Sequence, residues 1–142
     1  MKPMQRSNAL PPKRAATARP FSFSLLLRAY IALLRMDLQL AFRGFPSLHR
    51  TVRELPVKAG NGTVDEICRA ADLACVFYFK QVLCLQRSAA TTALLRRCGI
   101  PAQMVIGVQV CPFRAHAWVE VAGQVVNDKP YVSERYLVMD RC

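Results

Sequence analysis

Acidic residues are scarce in this chain: nine Asp and Glu stand against 20 Lys and Arg, a net charge of +11. Such a balance favours an acidic partner, whether peptide, nucleic acid or membrane surface, without choosing among them. Long apolar runs are also missing, since none reaches the roughly 18 residues needed to span a bilayer. The six cysteines (Cys68, Cys75, Cys84, Cys98, Cys111 and Cys142) include no C-x-x-C pair. That spacing argues against a zinc ribbon, so no metal is expected. A phosphate-cradling loop is absent too. Gly60-Asn61-Gly62 has no lysine after it and reads as a turn, so no nucleotide or other cofactor is assigned. The N-terminus lacks a secretory layout, because Arg28 breaks the apolar run Phe21–Leu27 and no clean cleavage site follows. A cytoplasmic protein with reduced thiols is therefore expected.

The 142 residues are 53% hydrophobic, which excludes a wholly disordered chain and suits one domain with its own core. Positive charge is concentrated early. Residues 1–60 hold 11 basic and two acidic residues, whereas residues 61–142 hold nine and seven. Residues 1–20, with four prolines and five basic side chains, read as a flexible basic tail ahead of a domain at 21–142. The spacing of Leu26, Tyr30, Leu33, Leu34 and Leu38 predicts a helix over 22–43, stopped by Gly44 and Pro46. It either packs on the body or lies on a membrane. Residues 47–62 read as a connection. Thr63 and Glu66 form a capping-box pattern that opens a helix to about Phe79, with Ile67, Ala71, Ala74, Phe77 and Tyr78 on its buried stripe. A third helix runs from Cys84 to Cys98, closed by Gly99 and Pro101. The period then changes to two, giving strands at 102–110, 115–121 and 124–127 about an Ala122-Gly123 turn. Helices followed by an antiparallel meander make an α+β fold.

Three residues carry a possible chemistry. Cys84 opens the third helix, where aligned backbone dipoles and free N–H groups favour thiolate over thiol. His116 lies on a strand between two alanines, which leave room for an approaching chain. Asp128 follows the strand paired across the turn. Counting back from the turn opposes His116 to residue 129, one position from Asp128. Nucleophile, histidine and acid in that order match a Cys-His-Asp hydrolase. Each residue also has an ordinary explanation: a buried thiol, a packing histidine, a turn-forming aspartate.

Cys84-Leu85-Gln86-Arg87-Ser88, Leu94-Leu95-Arg96-Arg97-Cys98-Gly99-Ile100-Pro101-Ala102, Val105-Ile106-Gly107-Val108 and His116-Ala117-Trp118-Val119-Glu120-Val121 resemble the transglutaminase-like leader peptidases of lasso peptide biosynthesis, over about residues 22–142. The resemblance implies a transglutaminase-like, papain-like cysteine protease fold. It implies that Cys84, His116 and Asp128 are the catalytic triad, and that the reaction is removal of the leader from a lasso precursor peptide. Gln81 is a candidate oxyanion donor. Ser88 either supports the site or is a small residue at a tight helix contact. Trp118 either shapes the cleft or packs in the core. Too little chain precedes the body for a leader-binding domain. The expected partner is therefore a PqqD-like leader-recognition protein in trans, with an ATP-dependent lasso cyclase closing the ring afterwards. The alternatives are a transglutaminase-like acyl transferase or amidase, and a basic nucleic-acid-binding module. The last fits the charge, but carries no recognition motif.

Overall fold

The computed structural model describes residues 22–142, so the tail read over residues 1–20 lies outside the described residues. Helix α1 spans Phe23–Glu54 and is broken at Gly44, whose φ of 73° only glycine adopts readily. The helix predicted over 22–43 is present, but the predicted connection is wrong at its start: Ser47–Glu54 is helical. Pro46 falls in the first turn after the break, where its missing N–H costs nothing. Gln39 braces the kink by donating to the Ser47 carbonyl at 3.0 Å. Beyond it Leu48 and Val52 are fully buried.

Helix α2 (Val64–Val76) starts at Thr63, whose hydroxyl accepts the Glu66 N–H at 3.3 Å. It stops three residues short of the predicted end. Phe77 is consequently 65% exposed rather than part of the buried stripe, while Tyr78 turns back into the protein. Helix α3 (Cys84–Arg97) is the central element. From Gln86 to Arg96 every residue except Arg87 is buried. Ala89, Ala90 and Ala93 let α1 and α2 pack closely on it. The buried Arg96 binds α3 to its neighbours, donating to the carbonyls of Ala102 at 2.8 Å and Val52 at 2.5 Å. Gly60, read as part of a turn, has a further task. A methyl group there would lie 2.6 Å from the Cys98 carbonyl carbon, so two backbone segments meet at a distance only glycine permits.

The sheet comprises β1 (Ala102–Gln109), β2 (Arg114–Val121), β3 (Gln124–Val125) and β4 (Leu137–Arg141), ordered β3-β2-β1-β4 and antiparallel throughout. A short α4 (Val132–Arg135) precedes β4. Met104 and Val119 face the helices and belong to the main core. Val105 and Trp118, on the other face, form a smaller cluster with Val132, Tyr136 and Val138. Helices α1 to α3 on one face of an antiparallel sheet make the α+β arrangement expected from the sequence, with the short α4 packing Val132 on the other.

Candidate active site

His116 sits in β2 opposite Gly107 of β1. Its Nε2 lies 2.6 Å from Asp128 Oδ2, and each side chain is three-quarters buried. This contact is not made by the long ladder the sequence suggested. The paired residues of β2 and β3 end at Glu120↔Val125, with one more backbone bond from the Val126 N–H to the Val119 carbonyl at 3.0 Å. The Asn127 side chain then takes over, its Oδ1 accepting the Val119 N–H at 2.7 Å. That replaces a backbone rung and lets the chain swing Asp128 toward the imidazole. Burial pushes the Asp128 carboxyl up, but hydrogen bonds from His116 and from the Lys129 N–H outweigh it and hold the group below the ordinary carboxylate value. Tyr136 stacks against His116 with ring centroids 5.2 Å apart and planes at 30°. An open cleft of about 510 Å³ adjoins Asp128 and is lined also by Asp72, Arg87, Val126, Asn127, Lys129 and Pro130; His116 does not line it.

Cys84 is the first residue of α3 and half-buried. Among the described residues no hydrogen bond joins its thiol to His116. The two are linked through their neighbours instead. Ser88, one turn after Cys84, donates to the Ala117 carbonyl at 2.9 Å, and Asn127 Nδ2 donates to Ser88 Oγ at 3.1 Å. Each contact falls next to a candidate catalytic residue: Ala117 beside His116, Asn127 beside Asp128. One helical turn is about 5.4 Å, so the start of α3 is held about that far from a hydrogen bond to β2. Because Ser88 and Asn127 are buried, leaving either polar group unpaired would be costly, and the three segments are fixed together.

The segment leading into Cys84 is anchored by Asp37, a buried carboxylate on the inner face of α1. It receives Tyr78 Oη at 3.2 Å, Gln86 Nε2 at 2.9 Å and the Lys80 ammonium at 2.7 Å. Gln86 in turn accepts the Leu83 N–H at 3.0 Å. Burial raises the Asp37 carboxyl, but the Lys80, Gln86 and Tyr78 bonds outweigh it and leave the group below its ordinary value. The folded pKa is thus depressed. Its stabilisation is complete above about pH 4 and is lost as pH falls through the folded value. Asp37→Asn is expected to cost about 2 kcal/mol at pH 7 by urea denaturation. The gap from wild type should close below pH 4. A gap that stays constant would remove the carboxylate from the account.

Of the supporting residues suggested by sequence, Ser88 is built into the site as described. Gln81 is exposed in the loop before α3 and has no side-chain hydrogen bond among the described residues. Trp118 is a core residue and does not line an open cleft. It is fully buried, and its Nε1 donates to Glu120 Oε1 at 2.9 Å. Asn127, Tyr136 and Asp37 were not anticipated. Asp37 had one visible signal, an acid four residues after Leu33 on the predicted buried stripe.

Four of the other thiols differ from Cys84 in their surroundings; the fifth, Cys98, is half-buried like Cys84 but caps the C-terminal end of α3. Burial pushes Cys68 up to about 11 and raises Cys75 and Cys142, whereas Cys111 is exposed in the β1–β2 loop. Iodoacetamide at pH 7 is expected to alkylate Cys84 ahead of Cys68, Cys75 and Cys142 in a Cys111→Ser background. Peptide mapping over a time course checks this order. Earlier labelling of Cys68 would refute it.

A family model described as the transglutaminase-like superfamily matches residues 26–141. The chain belongs to that superfamily. It is also similar to the microcin J25-processing protein McjB of Escherichia coli, with 45% identity over 56 residues. That stretch is 39% of this chain and 27% of the McjB sequence, so the match spans about a quarter of that relative's length. No solved structure matches the chain significantly. The superfamily match agrees with the fold resemblance drawn from the cysteine and histidine segments. Among the described residues, no group of three or more His, Cys, Asp or Glu is placed to hold a metal ion. No helix among them is long and apolar enough to cross a membrane.

Proposed function

We propose that this transglutaminase-like protein is a cysteine peptidase that cuts a lasso precursor peptide between leader and core. The observation that carries this reading is the His116–Asp128 pair, tied through Ser88 and Asn127 to the helix that Cys84 opens. Asp128 occupies Nε2, so Nδ1 is the imidazole nitrogen left to take the Cys84 proton. The thiolate attacks the scissile carbonyl and forms a thioester to the leader. His116 gives the proton to the departing core amine. Water, activated by the same imidazole, then hydrolyses the thioester. In this reading the Cys84 backbone N–H, unpaired within the helix in the first turn of α3, meets the oxyanion, and the exposed Gln81 supplies the second donor.

In this reading a PqqD-like protein in trans presents the leader, the reaction takes place in the cytosol, and an ATP-dependent cyclase closes the macrolactam afterwards. The superfamily name keeps acyl transfer as a second reading, because the same thioester can pass to an amine. Incubating the protein with a lasso-type precursor and a leader-recognition protein, read by mass, tests both. Two fragments that sum to precursor plus water support peptidase action. A cross-linked adduct would establish transfer instead.

A further inference from the structure

The outward face of α1 is apolar where solvent should make it polar. Phe23, Leu27, Ile31, Leu38 and Phe42 recur at steps of four and seven, and all are exposed, Phe42 at 82%. Along one border run Arg28 and Arg35. Where Gly44 bends the helix, the stripe ends at a cleft of about 490 Å³ lined by Arg35, Leu38, Phe42, Arg43 and Thr51. A neighbouring cleft of about 240 Å³ shares Arg35 and Leu38 and reaches Arg97 of α3. No carboxylate lines either cleft. Among the described residues, Arg28, Arg35, Arg43 and Arg97 enter no ion pair.

We propose that this face of α1 is the docking surface for a separate polypeptide that offers an apolar ridge bordered by Asp or Glu. Burying five large side chains supplies the attraction, since monomers rarely leave such a patch in water. The exposed guanidinium groups favour a partner that brings carboxylates opposite them, which sets register and speeds encounter. A second copy of this chain does not satisfy that need through the same face, because no carboxylate lines either cleft there. A bilayer meets a convex apolar face but leaves a re-entrant cleft unfilled, whereas a protein side chain can enter it. The position also suits regulation. Leu38, on the outer face, is the next residue after Asp37, whose carboxylate holds Lys80 just before Cys84 and Gln86 just after it.

The choice of probe rests on the peptidase reading, and the probe is the purified leader-recognition protein. Its affinity for the full chain is measured by calorimetry at low and high salt, with precursor cleavage assayed separately. Leu38→Glu/Phe42→Glu and Arg35→Glu are each expected to weaken binding at least about tenfold with unchanged melting temperature. Arg35→Lys should stay near wild type. Cleavage at saturating precursor without the probe should be unaffected by these changes. Wild-type-like affinity in the folded variants would overturn the proposal, as would no binding of the wild type. Capture of wild type, but not of the Glu variants, on phosphatidylglycerol vesicles without binding to the probe would make the face a membrane site and also overturn it. Binding without any precursor cleavage would instead sink the peptidase reading and leave the docking surface standing.

Discussion

Replacing Cys84 with alanine is expected to abolish precursor cleavage, lowering the rate at least about 10⁴-fold, while the fold survives. The chemistry needs a nucleophile at the start of α3. The other cysteines are no substitute, since Cys68, Cys75 and Cys142 are held in the thiol form by burial, Cys111 lies in the β1–β2 loop and Cys98 caps the far, C-terminal end of α3. The fold does not depend on the thiol. Cys84 is only half-buried and makes no side-chain hydrogen bond among the described residues, so losing one sulfur removes little packing. Chromatography with mass detection over hours, beside a thermal melt, checks both halves. Residual cleavage within tenfold of wild type by a folded variant would remove Cys84 as the nucleophile.

The second large effect is expected from Asp128→Asn. Asp128 Oδ2 lies 2.6 Å from His116 Nε2; in the proposed mechanism an ionised Asp128 draws the imidazole proton to Nε2, and Nδ1 keeps its lone pair for the thiol. An asparagine amide can donate to Nε2 instead. That favours the other tautomer, leaves Nδ1 protonated and unable to act as base, and withdraws the negative charge that steadies the imidazolium. Roughly 100- to 10,000-fold of kcat should be lost, with a smaller change in KM. Stability should fall modestly at neutral pH, because the depressed carboxylate is itself stabilising, although the asparagine carbonyl still accepts the Lys129 N–H. A variant that keeps wild-type kcat would mean that the His116–Asp128 contact is structural.

The parts of the fold legible in sequence were those with strong local signals. Thr63 before an apolar run marked the start of α2, and Gly99-Ile100-Pro101 marked the end of α3. The alternation from Ala102 onward marked β1 and β2. The parts that escaped are those where tertiary contacts override local rules. Gly44 and Pro46 look like a helix terminator, yet the chain only bends there, because Leu48 and Val52 gain a fully buried environment by resuming the helix. Strand β4 inverts the usual pattern, with Leu137 and Met139 exposed on a sheet edge, so alternation gave no usable signal.

The candidate site divides along the same line. Cys84, His116 and Asp128 stand out because each type has characteristic chemistry at an element's start or edge. The buried connectors do not. Asn127 passes for a turn former next to Asp128. Its work of replacing a ladder rung and bonding Ser88 emerges only when β2, β3 and α3 are seen together. Asp37 is 41 residues or more along the chain from the groups it holds, and the count back from Ala122-Gly123 assumed a ladder whose paired residues in fact end after two pairs.

The most direct test is to trap the covalent intermediate. Wild-type protein turning over a lasso-type precursor is acid-quenched within the first turnovers, digested and mapped by mass. The leader should be found as a thioester on the peptide containing Cys84, vanishing on hydroxylamine treatment and absent from Cys84→Ala. Cleavage with the leader on another residue, or with no acyl-protein at any time point while Cys84→Ala cuts equally fast, would contradict it.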